Sequence, residues 1–165
     1  MTKNWYGYKI GIKNVKVKMD NYYGYIKWME TKVKVPPPTP SVKVRRLKDY
    51  SGEYDSDTNE IIISNYVTNG KEERIATLVH EWRHAWQWHN KKWINGLLNP
   101  IPFDFTLPYK KAIQKYFGEQ PWELDALQWS CRMLGTKYDL QHLQWVQSII
   151  VKGKQNGKRT TNKST

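Results

Sequence analysis

The chain has 165 residues, 39% of them hydrophobic and 14% aromatic, which suits one domain with a packed core. Nine Trp and eleven Tyr against three Phe predict a core with many N–H and O–H tips that need partners. A mean hydropathy of −0.81 with no long apolar run excludes a transmembrane helix, and a single Cys131 excludes an internal disulfide and a cysteine-based zinc finger.

The formal charge of +12 is uneven. Residues 1–50 hold 12 Lys/Arg against 3 Asp/Glu, residues 51–150 hold 10 against 12, and residues 151–165 hold 5 against none. A nearly neutral middle between two basic flanks implies either an anionic partner such as nucleic acid or charge that keeps the chain in solution. The Lys-rich start has no apolar signal region, so the expected location is cytoplasmic, the host cytoplasm if the source is viral.

Residues 1–35 alternate apolar and basic side chains, as in Ile10-Gly11-Ile12-Lys13 and Lys32-Val33-Lys34-Val35, and predict a basic, β-rich N-terminal extension. Pro36-Pro37-Pro38-Thr39-Pro40 reads as a Pro-rich linker over 36–40. The main domain is expected over 41–151. Ser41 to Val44 reads as a short strand. Gly52 to Asp55 and Asn59 to Ser64 flank the turn Ser56-Asp57-Thr58 and read as a hairpin.

Apolar Ile75, Leu78, Val79, Trp82 and Trp86 at helical spacing predict a helix from Lys71 to about Asn90, ended by Asn95-Gly96. Further helices are expected from Pro108 to Phe117, from Pro121 to Leu134, and from Asp139 to about Val151. Residues 152–165 lack apolar periodicity and read as a disordered basic tail. The fold class is α+β: a short antiparallel sheet or hairpin packed on the long helix, with a helical C-terminal part.

The chemistry sits inside that long helix. His80-Glu81-Trp82-Arg83-His84 is an H-E-x-x-H motif. A spacing of four turns a helix by about 400°, so both imidazoles leave one face a turn apart and suit Zn²⁺. Glu81 lies about 100° further round. From there it reaches a water at the metal without binding the metal, as a general base does.

A catalytic site needs a third protein ligand. His89 points away from the pair, His142 lies in a Gln-rich helical segment, and Cys131 reads as core. Glu123 is the best candidate, in the first turn of a new helix beside small Ala126. Asp125 is the alternative, on the other side of that helix, where it can support a ligand instead.

Thr77-Leu78-Val79-His80-Glu81-Trp82-Arg83-His84-Ala85-Trp86-Gln87, followed by Pro121-Trp122-Glu123-Leu124-Asp125-Ala126, resembles small zincin-type metallopeptidases. The likeness is nearest to gluzincin-like bacterial and phage families with H-E-x-x-H-x-x-Q and a later P-x-E-x-[DE]-A. It covers roughly residues 50–135, and the hairpin resembles their substrate-lining strand. It implies a zincin-like fold, His80, His84 and Glu123 as zinc ligands, Glu81 as base, and a protein or peptide substrate. Arg83 departs from the uncharged residues favoured inside many such motifs.

Tyr116 is a candidate donor to a developing oxyanion, with Tyr109 and Arg132 as rivals. Gln87, one turn beyond His84, either orients a ligand or caps a surface. Trp82, Trp86, Trp88 and Trp93 are expected in core and cleft wall. The function expected is zinc-dependent hydrolysis of peptide bonds. The alternative is a basic nucleic-acid-associated protein with a secondary or degenerate zinc site, or a protease acting on nucleic-acid-bound proteins; no membrane partner is expected.

Overall fold

The computed structural model describes residues 39–47, 51–64, 71–135 and 137–161. The strands expected in 1–35 and most of the 36–40 linker lie outside the described residues. Among the described residues, three strands, β1 (Ser41–Arg45), β2 (Gly52–Asp55) and β3 (Glu60–Ser64), precede five helices. These are α1 (Lys71–His89), α2 (Ile94–Leu98), α3 (Tyr109–Glu119), α4 (Pro121–Leu134) and α5 (Lys137–Thr161). The molecule is α+β.

The sheet has the order β1-β3-β2. It is mixed, which corrects the expected antiparallel sheet: β2 is antiparallel to β3, and β1 is parallel to it. The reason lies in Ile61-Ile62-Ile63. All three side chains are buried, so both faces of β3 are covered and it takes the centre. The tight turn fixes β2 as its antiparallel neighbour, with Tyr54 opposite Ile61. β1 then pairs with the free side of β3, running the same way.

The hairpin turn is held by the carboxylate of Asp55, which accepts from the backbone N–H of Asp57 at 2.9 Å. Asn59 closes it in the left-handed region, φ 54°, a conformation Asn tolerates. Its Oδ1 accepts from the Tyr54 hydroxyl at 2.9 Å.

One core joins the sheet to α1 through Ile61, Ile63, Ile75, Leu78, Val79 and Trp82. A second joins α3, α4 and α5 through Ile113, Phe117, Leu127, Leu143, Val146 and Ile150. The site lies between the two.

Two boundaries differ from expectation. Asn95-Gly96 does not end a region but lies inside α2. A Cβ at Gly96 would sit 2.3 Å from the Trp122 ring, so this glycine serves close packing of α2 on the start of α4. The last helix runs to Thr161, through residues expected to be a disordered tail. Residues 152–161 have no apolar face, but extending a helix already anchored by Leu143, Val146 and Ile150 is far easier than nucleating one.

Candidate metal centre

His80 and His84 leave one face of α1, and Glu123 enters from the first turn of α4. All three are buried. Glu123 Oε2 lies 3.0 Å from His80 Nε2, Glu123 Oε1 lies 3.3 Å from His84 Nε2, and the two Nε2 atoms are 3.1 Å apart. Two imidazole lone pairs cannot face each other at that distance without a proton or a cation between them. Donors about 2.0–2.1 Å from one tetrahedral ion are roughly 3.3 Å from each other. Glu123 offers a different oxygen to each imidazole, and one ligand atom from each of the three residues lies within 4.8 Å of the others, so this group can hold a metal ion.

The start of α4 is fixed by Gln120, which is fully buried. Its Oε1 accepts from the Ile101 N–H at 2.7 Å, and its Nε2 donates to the carbonyls of Ile101 and Tyr116 at 3.1 and 3.2 Å. Its own carbonyl accepts from the Glu123 N–H at 3.0 Å. Gln120 therefore ties the Pro-rich loop to the turn that presents Glu123. Sequence reasoning missed it, since a Gln before Pro121 carries no signal of burial.

Behind the triad runs a polar relay. Gln87 Oε1 accepts from His84 Nδ1 at 2.8 Å. Gln87 Nε2 donates to the Trp122 carbonyl and to Asp125 Oδ2, both at 2.9 Å. Arg83 donates to the two Asp125 oxygens at 2.7 and 3.2 Å, and its guanidinium lies 3.8 Å over the Trp86 ring. Arg83, the departure from the resembling motif, thus points away from the donor triangle and is neutralised by Asp125. His80 differs: its Nδ1 is buried without a hydrogen-bond partner among the described residues.

The electrostatics follow from burial of opposite charges. Burial opposes ionisation of Glu123, but the imidazoles of His84 and His80 outweigh it and hold the carboxyl well below the usual range. Burial lowers the pKa of His84. Glu123, Glu81 and the Gln87 oxygen together outweigh that and raise it to about 9. Glu81 is pushed up, chiefly by burial; His84 and His80 pull it down, and Glu123 and Glu53 push it up.

Glu81 lines a cleft of about 410 Å³ together with the triad. One wall is β2, an edge of the sheet. A Cβ at Gly52 would lie 2.5 Å from Thr77 Cγ2, 2.9 Å from the Ile62 carbonyl oxygen and 3.4 Å from Glu81 Cγ. Gly52 therefore lets the strand lie against α1 beside Glu81. The opposite wall is apolar, including Pro102, Phe103 and Phe117, and contains the Tyr116 ring 5.6 Å from Phe103.

The other candidates separate from the triad. Asp125 is engaged by Arg83 and Gln87. His89 Nε2 meets Asn59 Oδ1 at 3.3 Å, Cys131 lies in the second core, and Arg132 is exposed. Tyr109 stacks on Trp145, ring centres 5.9 Å apart. His142 lines the same cleft, stacked on Trp145 at 5.9 Å, with its pKa lowered by burial. It stands outside the ligating group. Trp82 is core and Trp88 cleft wall, whereas Trp93 is 38% exposed.

Comparisons of the chain with protein-family models, with curated proteins and with solved structures find no match. Among the described residues, no helix is long and apolar enough to cross a membrane.

Proposed function

We propose that this chain is a zinc-dependent peptidase of zincin type. The observation that carries the reading is the convergence of Glu123 from α4 on His80 and His84 of α1. Two imidazoles and one carboxylate favour Zn²⁺ over the hard cations, which prefer oxygen, and three protein ligands leave a position open to reactants. Bound there, zinc supplies Lewis acidity: it lowers the pKa of water and polarises a carbonyl.

The protein's own groups do the rest. Glu81 opens on the cleft beside the triad, at the position of a general base. It takes a proton from the attacking water and returns it to the leaving amine. Its raised pKa suits both halves of that transfer. The backbone of edge strand β2 runs along the cleft and offers hydrogen bonds to an extended peptide. The apolar wall accommodates side chains and excludes water. Tyr116, in that wall, is the candidate donor to the oxyanion.

Metal analysis tests the site. The purified protein is expected to hold one zinc per chain, and His80→Ala to hold none. A folded, active protein free of zinc would end the reading.

A further inference from the structure

The last helix carries a charge pattern that the cleft does not use. Val151 is 54% exposed, and Lys152, Lys154 and Gln155 are exposed. The helical backbone then continues to Thr161 through Lys158 and Arg159. No acidic residue follows Asp139 in the sequence, and no apolar residue follows Val151. Lys152 and Lys154 are two residues apart, so they leave the helix about 160° from each other. Asp139, near the start of the helix, is its one carboxylate in the sequence, more than ten residues before Lys152.

A second element extends the pattern. Tyr109 stacks on Trp145, and Gln114 Nε2 donates to the Ile149 carbonyl at 3.0 Å. A Cβ at Gly153 would meet the Gln114 side chain at 2.9 Å. Thus α3 and α5 run side by side in the same direction. Lys110 and Lys111 are exposed and lie four and three residues before Gln114, near the same face of α3. Lys115 is engaged by Asp104 at 3.6 Å, and Glu119 lies about 140° round from Gln114.

We infer that α5 from Lys152 onward, with Lys110 and Lys111 of α3, binds the phosphate backbone of nucleic acid. The chemistry selects that partner. Residues 152–161 have no apolar side chain to insert into lipid or into a hydrophobic groove. Cations with no interspersed acid match a linear polyanion, whose phosphates relieve their mutual repulsion. Lys110, Lys111, Lys152 and Lys154 do not line the cleft that holds the triad, so binding does not require an active peptidase.

The experiment measures binding of the full chain to a 20-base-pair duplex by fluorescence anisotropy across salt concentrations. Each phosphate contact contributes about 0.9 to the slope of log affinity against log salt. The Lys152→Gln, Lys154→Gln, Lys158→Gln, Arg159→Gln variant is expected to flatten the slope by about 3 to 4. Adding Lys110→Gln and Lys111→Gln is expected to remove about 2 more. Changing the five lysines to Arg is expected to keep the parent slope, which separates charge from helix stability. A parent slope retained in the Gln variants, no duplex binding at low salt, or binding to phosphatidylserine vesicles in preference to duplex would each overturn the inference.

Discussion

The side chain of Gln87 holds His84 by its far ring nitrogen: Gln87 Oε1 accepts from His84 Nδ1 at 2.8 Å, and Gln87 is fully buried. The bond aims Nε2 at Glu123. The same Gln87 amide reaches the Trp122 carbonyl, one residue from Glu123. One side chain therefore sets both the ring on α1 and the distance to α4. Gln87→Leu preserves bulk but loses all three bonds. It is expected to weaken metal binding by about 10–100-fold, the usual cost of losing a ligand's hydrogen-bond partner. Competition against a chromogenic chelator measures it, and an unchanged affinity would reduce Gln87 to packing.

Asp125 and Glu123 lie two residues apart and do different work. Glu123 faces both imidazoles, while Asp125 holds Arg83 and Gln87. Glu123→Ala is expected to lose metal affinity at least tenfold more than Asp125→Ala. The second change leaves the Arg83 guanidinium unpaired and is expected to cost about 1–3 kcal/mol in denaturant unfolding. Equal loss of metal in the two variants would contradict this division.

The metal-free protein has a defined pH dependence. The His84 pKa is about 9 folded, against 6.5 as its ordinary value. A raised pKa stabilises the fold fully below the unfolded value, and that contribution disappears as pH rises through the folded one. In chelator, the melting temperature is therefore expected to fall between about pH 6.5 and pH 9. Metal binding has the opposite sign, since the ion displaces the His84 proton, and affinity is expected to rise over the same window. His84→Gln should flatten both profiles. Melting temperatures that climb with pH in chelator would show that the His84–Glu123 pair does not hold that proton.

Gly52 tests the strand that borders Glu81. A methyl there meets the Ile62 backbone as well as Thr77. Gly52→Ala is expected to cost about 1–3 kcal/mol through overpacking. Because Glu81 Cγ is the next atom out, the rate of hydrolysis should fall while the zinc content stays at one per chain. A variant with parental stability and rate would remove Gly52 from the account.

The triad was readable because its parts obey local rules. His80 and His84 share a face by helical period, and Glu123 follows Pro121 in a first helical turn. The hairpin was readable for the same reason, through period two and a turn-forming Ser56-Asp57-Thr58. What escaped was long-range. Pairing of β1 with β3 is set by burial of Ile61 to Ile63 on both faces, which no local pattern in Ser41 to Arg45 states. Gln120 and the Arg83–Asp125 pair join segments nineteen and forty-two residues apart, so their roles appear only when the helices are docked. The helical run of 152–161 escaped because its support comes from the packed turns before it.

The most direct test of the central claim is peptide hydrolysis by Glu81→Gln with zinc quantified in the same sample. Glu81 stands outside the His80–His84–Glu123 group, and Gln keeps its shape but cannot accept the proton. The account predicts one zinc per chain, an unchanged fold and hydrolysis slowed by about 10²–10⁴-fold relative to the parent, assayed on a denatured-protein or peptide-library digest. A zinc-loaded Glu81→Gln variant that cleaves as fast as the parent, or a zinc-loaded parent that cleaves nothing, would contradict it.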